Sequence, residues 1–351
     1  MEIFKQKLRV QAHALTEGLM GSGEPAHKGH FMSAWDWYQG VALFGLYTYY
    51  RETKEQRVFD YLVGWFDTQM QRGLPEKNVN SMCPLLTLSF LYEDTGKEEY
   101  LDVCKEWLDY AMTELPRTPE GGFQHKTIDS DNYCQLWDDT LYMTVLFITR
   151  MGTLLKDDRY LQESIRQFLV HLKYLTDLES GLFFHGWNFD GCHHFGKALW
   201  GRGNAWYTAG LVDYLDLANI PDGVRMFLLS ALERQAAALE KYQDSDGMWH
   251  TLVNLPDSSY PESSATAGFS YGMLKATRLN YLPKKYRTVA VKGLEAILSR
   301  IDDKGLLQQV SGGTCVGADL DYYRQISVGP QTYGQSLALL LLLEALKMDI
   351  L

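Results

Sequence analysis

The sequence predicts an all-α protein in which six helical hairpins close into a toroid, with the long loops gathered on one face. Three observations point there. Apolar residues recur at three- and four-residue spacing through about twelve segments, whereas strand-like alternation is scarce. The connections between these segments are tight and long by turns. The long ones repeat a glycine-centred motif at a period near sixty residues, the length of one helical hairpin and its return loop. An open solenoid is the competing architecture, but its loops would be shorter and more uniform.

The twelve segments fall near residues 2–20, 32–52, 54–72, 81–96, 97–115 and 136–155, then 157–177, 201–218, 222–242, 262–279, 284–300 and 330–348. Gly21, Gly73 and Gly96 stand near helix ends, and Pro330 stands at a helix start. Connections leaving the even-numbered helices are tight: Thr53, Gly96-Lys97, Lys156-Asp157, Ile220-Pro221 and residues 281–284. Those leaving odd-numbered helices are long, as at 116–135, 178–200, 243–261 and 301–329. If successive helices run antiparallel, every long connection lies at one end of the molecule, and loops of that length usually carry function. Within them Gly121-Gly122-Phe123-Gln124-His125 matches Gly181-Leu182-Phe183-Phe184-His185, and Gly247-Met248-Trp249-His250 and Gly305-Leu306-Leu307-Gln308 follow the same plan. Their first glycines are 60, 66 and 58 residues apart. No linker rich in Pro, Ser or Gly divides the chain, so residues 1–351 are expected to form a single domain. Helices two, four, six, eight, ten and twelve should form the inner ring, with N-termini opening onto the long-loop face, where helix dipoles favour anions.

Composition narrows the function. Of 351 residues, 46% are hydrophobic and 22% charged, as in an ordinary folded protein. With 33 basic against 44 acidic residues the net charge is −11, so a nucleic-acid backbone would be repelled. The longest apolar run, Leu337 to Leu343, is far too short to span a bilayer, and the first seven residues contain no apolar signal core. Neither membrane nor nucleic-acid partners are therefore expected. Five cysteines, an odd count without a CxxC pair, point to reduced thiols and a cytoplasmic location. Aromatic residues reach 13%, which a large core would explain and a sugar-stacking cleft would use.

Several residue groups could carry chemistry. Asp138 and Asp139 stand together at the expected start of helix six. Carboxylates there complement the dipole in any case, and neighbours about 100° apart cannot both face the lumen. Asp139 lies on the flank of Leu136 and Met143, Asp138 on that of Tyr142. At helix eight, Arg202 stands among Trp200 and Trp206; a guanidinium there could grip a sugar carboxylate or merely form a cation–π pair. His125 and His185, both in the repeated loop motif, are placed at the cavity mouth. Trp37 and Tyr38, in the Trp35 to Gly40 segment, offer aromatic surface there too. Cys192-His193-His194 lacks further ligand spacing, so neither metal nor other cofactor is expected. No P-loop, GxGxxG or GxSxG motif occurs.

Taken in order, Trp35-x-x-x-Gln39-Gly40, Gly122-Phe123-Gln124-His125-Lys126, Trp137-x-Asp139-Thr140-Leu141-Tyr142-Met143, Gly181-Leu182-Phe183-Phe184-His185-x-Trp187, Trp200-Gly201-Arg202-Gly203-Asn204-x-Trp206 and Glu262-Ser263-Ser264-Ala265-Thr266-Ala267 cover nearly the whole chain. This set resembles the unsaturated rhamnogalacturonyl hydrolases, glycoside hydrolase family 105, and more distantly the unsaturated glucuronyl hydrolases of family 88. The resemblance implies an (α/α)6 barrel and Asp139 as catalytic acid/base. It implies that His125, His185, Arg202 and Trp206 contact an unsaturated uronic acid, and that Trp200 with Trp37 or Tyr38 forms stacking walls. One position departs from the family pattern: Asn80 stands at the start of helix four where a second aspartate is usual. Its amide can hydrogen-bond a sugar hydroxyl or a water but cannot take a proton.

The implied substrate is a small oligosaccharide, rhamnogalacturonan-derived, whose terminal uronic acid is an enol ether with a C4=C5 double bond. Protonation at C4 makes an oxocarbenium-like centre at C5, where water adds, and the resulting hemiketal opens. One carboxyl suffices if its acid form is populated, which the burial of Asp139 among aromatics is expected to favour by raising its pKa. The alternatives are an ordinary inverting glycosidase or a sugar epimerase on the same barrel, needing a second carboxylate or a histidine pair in the lumen, and a helical scaffold without catalysis.

Overall fold

The computed structural model describes residues 2–21 and 31–348. All twelve expected helices are present, joined by a thirteenth short one. They are α1 (Glu2–Gly21), α2 (Trp37–Thr53), α3 (Gln56–Arg72), α4 (Cys83–Thr95), α5 (Glu98–Thr113), α6 (Leu146–Leu155) and α7 (Asp158–Leu175), followed by α8 (Gly201–Leu217), α9 (Asp222–Tyr242), α10 (Ser263–Arg278), α11 (Lys285–Leu298), α12 (Leu320–Arg324) and α13 (Thr332–Leu346). Helices α2, α4, α6, α8, α10 and α13 pack each on the next, and α13 returns against α2. The ring is therefore closed, and the open solenoid is excluded. Outside it α3, α5, α7, α9 and α11 each cover the helix before them, and α1 covers α13. No helix among the described residues is long and apolar enough to cross a membrane.

Two-sided burial explains which helices went inside. From Gly201 to Leu215 every residue of α8 is buried, as is every residue of α10 from Ser263 to Thr277 and of α13 from Thr332 to Ala345. Such helices must be apolar or self-satisfied all round. Their buried hydroxyls turn back on their own backbone: Thr208 Oγ1 donates to Asn204 O at 3.1 Å and Thr266 Oγ1 to Glu262 O at 2.8 Å. Close approach also needs small residues, since a Cβ on Gly268 would come within 2.9 Å of the Ala205 methyl across the α8–α10 contact. At the end of the helices away from the long loops, the ammonium of Lys275 donates to Asp213 at 2.7 Å, and Tyr271 donates to the same carboxylate at 2.6 Å.

Three expectations are corrected. The second helix begins at Trp37, because 31–36 bend and Asp36 takes the extended N-cap conformation (φ −155°). The sixth does not begin at 136. Gln135–Trp137 forms strand β1, paired antiparallel with β2 (Gly186–Asn188), and a π-helical segment Leu141–Val145 precedes α6. The last long connection holds α12 and a second pair, β3 (Val310–Ser311) with β4 (Val328–Gly329). These short ladders satisfy backbone groups that a buried loop could not leave unpaired.

The loop repeat has a common geometry. Gly121, Gly181, Gly247 and Gly305 all adopt left-handed backbone, with φ between 77° and 89°. Two residues after each, a buried N–H donates to a side chain of the helical wall: Phe123 to Gln167 (2.8 Å), Phe183 to Asn204 (2.7 Å), Trp249 to Thr266 (3.1 Å) and Leu307 to Gln335 (2.7 Å). Each return loop is thereby pinned to a helix, the first to α7 of the outer layer and the other three to α8, α10 and α13 of the ring.

Candidate active site

On the long-loop face the ring opens into a cavity of about 290 Å³ lined by Asp36, Trp37, Tyr38, Asn80, His125, Trp137 and Asp139, with residues 127–130, 132 and 313–315 at its rim. Trp37 and Tyr38 reach it from the first turn of α2, their rings 4.1 Å apart, with Tyr333 4.7 Å behind Trp37. Asn80 opens a 3-10 turn ahead of α4, its N–H donating to Asn78 Oδ1 at 2.9 Å. His125 lies flat on Trp137, with centroids 4.3 Å apart and planes inclined by 12°, and its Nδ1 is 2.8 Å from Thr140 Oγ1. Burial pushes the His125 imidazole down to about 4, so it is neutral near pH 7.

Asp139 is the carboxyl at the inner end. Its position follows from β1: the strand pairing fixes Trp137, Asp138 N–H donates to His185 O at 3.0 Å, and the chain turns into the helix at Asp139. His185 Nε2 stands 3.2 Å from its Oδ2, and the Trp206 indole N–H donates to Oδ1 at 3.1 Å. The Tyr323 hydroxyl donates to His185 Nδ1 at 2.8 Å, which leaves Nε2–H to donate to Asp139. Burial pushes the Asp139 carboxyl up, but the His185 hydrogen bond first, with smaller electrostatic contributions from the surrounding His185, His125 and Arg202, outweighs it and holds the group at about 2. This corrects the expectation that burial raises Asp139. The raised carboxyl is its neighbour Asp138, pushed well above the usual range by burial first and by the Asp139 charge second.

Of the residues singled out from sequence, Trp37, Tyr38, Asn80, His125 and Asp139 share the cavity wall. His185 and Trp206 touch Asp139 from behind. Trp200 and Arg202 lie one layer deeper and do not line the cavity. The Trp200 ring is 1% exposed and packs 4.2 Å from His185. Arg202 is wholly buried; one guanidinium nitrogen donates to Ser311 O (3.0 Å) and to the Ser311 hydroxyl, the other to Gly312 O (2.7 Å) and Thr314 Oγ1 (3.0 Å). Its fork is engaged with the loop that carries Gly313, Thr314 and Cys315 to the rim. Glu262 supports the same loop, accepting from Ser311 N at 2.8 Å while capping α10 through Ser264 N and Ala265 N.

Asp36 was visible from sequence only as part of the Trp35–Gly40 segment, and the 127–132 rim and the 313–315 loop only as parts of long connections expected to carry function, with no residue of either singled out. Asp138, Asp139 and His185 bring ligand-capable atoms within 4.8 Å of one another, and within this cluster His185 Nε2 and Asp139 Oδ2 are in direct contact at 3.2 Å. His193 and His194 are not gathered there: His193 Nδ1 accepts from Phe195 N at 3.0 Å, and His194 stacks 4.1 Å from Phe184.

Residues 18–349 match the Glycosyl Hydrolase Family 88 profile. The unsaturated rhamnogalacturonyl hydrolase YesR of Bacillus subtilis (strain 168) is 34% identical over 318 residues, covering 90% of each chain. A crystal structure described as a possible member of the GH105 family, from Salmonella enterica serovar Paratyphi A, is 41% identical with a TM-score of 0.95 and covers 98% of this chain and 94% of that one. The unsaturated glucuronyl hydrolase of Bacillus sp. GL1 shares the fold, with a TM-score of 0.75 at 19% identity over 97% of this chain and 96% of its own.

Proposed function

The chain belongs to glycosyl hydrolase family 88 and is a glycoside hydrolase, and we propose that it releases a 4,5-unsaturated uronic acid from the non-reducing end of unsaturated oligosaccharides. The reaction is hydration of the C4=C5 enol ether, with Asp139 as general acid and then general base. One observation carries this reading. Of the carboxyls lining the aromatic cavity, Asp139 alone is gripped by His185 and Trp206, while Asn80, on the same cavity wall at the place of the family's usual second aspartate, cannot exchange a proton. An ordinary glycosidase needs two proton-active carboxyls flanking C1; hydration needs one.

In this reading Trp37 and Tyr38 cover the sugar faces, and Asn80 and His125 offer hydrogen bonds to its hydroxyls. Trp206 and His185 orient Asp139, while Arg202 and Trp200 act through what they hold, the 311–314 loop and the His185 ring. Asp139 protonates C4, and its carboxylate then takes a proton from the water that adds at C5. The 34% identical rhamnogalacturonyl hydrolase supports rhamnose as the leaving sugar and pectin as the parent polymer. The return of α13 onto α2 supports residues 1–351 as one catalytic domain; residue 1 and residues 22–30 and 349–351 lie outside the described ones. All five cysteines are free thiols, which supports the cytoplasm.

A second reading keeps one foothold. Asp36, pushed by burial to about 6, lines the same cavity and is a second acid for inverting hydrolysis. Matched disaccharides from pectin, saturated and unsaturated, separate the two. Loss of the alkene absorbance with release of sugar only from the unsaturated one supports hydration. Equal release from the saturated one favours Asp36 and Asp139 as a conventional pair.

A further inference from the structure

Asp138 is a buried acid that the proposed reaction does not use. It is 3% exposed, and neither carboxyl oxygen meets a hydrogen-bond donor. The side chain lies against the first turn of α8, where a Cβ on Gly203 would come within 2.7 Å of its Cγ, so glycine at 203 makes room for it. Its immediate neighbour in the chain is Asp139, and a carboxyl oxygen of each lies within 4.8 Å of the other. From the elements packed around it the ionisable neighbours are His185, Arg202 and Tyr323. Two adjacent buried carboxyls cannot both ionise cheaply, and such a pair holds one proton between them. The donors of His185 and Trp206 both go to Asp139, so in the resting enzyme the proton sits on Asp138.

We propose that Asp138 stores the proton that Asp139 delivers, passing it across the carboxyl pair when the anionic substrate enters. The inference rests on the reading of Asp139 given above. The transfer is balanced within the pair: the Asp138 O–H bond breaks, an Asp139 O–H bond forms, and the negative charge moves from Asp139 to Asp138. The driving force is electrostatic. A uronate carboxylate beside Asp139 repels the charge there, and on Asp138 that charge lies deeper and still within the field of Arg202. This reconciles a resting Asp139 held ionised with a reaction that needs its acid form. Asp138 is thus a positioning residue for the proton and touches no substrate atom.

The test is Asp138→Asn, which keeps the shape of the side chain but cannot pass a proton. Asp139 must then collect its proton from solvent. We expect kcat at pH 7 to fall by about 100-fold, the lower end of the range that a positioned proton transfer contributes, with KM unchanged. We also expect the optimum of the kcat–pH profile to move to lower pH, where Asp139 protonates unaided. An unchanged kcat and pH profile overturns the proposal, and so does an equal loss at every pH, which is the mark of a structural role. If the variant does not fold, infrared spectroscopy of the native enzyme decides. A protonated carboxylic-acid band at neutral pH that shifts on binding glucuronate supports the store, and its absence overturns it. A native enzyme inactive on unsaturated disaccharides would instead defeat the reading of the reaction itself.

Discussion

Replacing His185 by Phe isolates the interaction that holds Asp139 ionised. Phe retains a ring packed 4.2 Å from Trp200 and edge-on to Trp137 at 5.6 Å, so most of the packing survives. The Tyr323 hydroxyl loses its imidazole acceptor but still accepts from Gly317 N at 2.9 Å. What disappears is the donor at 3.2 Å from Asp139 Oδ2. A hydrogen bond to a charged group contributes about 1.5–3 kcal/mol, and one pKa unit corresponds to about 1.4 kcal/mol. Asp139 should therefore rise by about one to two units from its present value of about 2, because burial is no longer opposed by its strongest partner. Carbon-13 NMR of aspartate carboxyls, with Asp139→Asn identifying the resonance, measures this without reference to activity. An unmoved Asp139 titration would refute the assignment of His185 as the group that keeps the carboxylate ionised.

Stability should fall in acid for a different reason. Burial depresses His125 and His171 to about 4 from the usual 6.5, so both are neutral in the folded state. Each contributes stability that is complete above about pH 6.5 and is lost as pH falls through about 4, on the order of 3 kcal/mol apiece. Urea midpoints measured from pH 7 to 4 should fall, and His171→Phe should flatten the curve; a flat native curve contradicts the shifts. Lys275→Ala leaves Asp213 buried without its cation and should cost about 3–5 kcal/mol by denaturant unfolding; a cost under about 1 kcal/mol would mean that the carboxylate is not desolvated. Arg202→Lys replaces a fork serving Ser311, Gly312 and Thr314 with a point charge. Loss of roughly one charge-assisted hydrogen bond, about 1.5–3 kcal/mol, should lower kcat/KM about 10- to 100-fold through the displaced rim loop, and unaltered kinetics would show that the loop holds itself.

Sequence periodicity carried the ring because helical hairpins announce themselves locally. The tight turns at Thr53, Lys156 and Pro221 and the glycines at 121, 181, 247 and 305 each left a signal in a few adjacent residues. Strands β1 and β2 left none, since three-residue ladders owe their existence to a partner about fifty residues away and not to their own pattern. That blind spot moved the start of the sixth helix and hid the pairing that sets Asp138 and Asp139 apart. In the site, Trp37, Tyr38, Asn80, His125 and Asp139 were legible as motifs, whereas the 127–132 rim, the 313–315 loop and the depth of each side chain were not. Trp200 and Arg202 stand in the same motif as Trp206, yet only Trp206 reaches Asp139, because the rotation of α8 decides which side chain faces inward. The ionisation order of the two aspartates was likewise illegible. It depends on donors brought from residues 185 and 206, and no reading of adjacent residues can weigh them.

The measurement closest to the centre of the account is the fate of solvent hydrogen and oxygen in the released sugar acid. Turnover of an unsaturated disaccharide in deuterium oxide and in oxygen-18 water, with products taken early, should place deuterium at C4 and labelled oxygen at C5, both absent with Asp139→Asn. Labelled oxygen at C1 with the double bond intact would mean direct attack on the glycosidic carbon, and Asp139 would then have a different task.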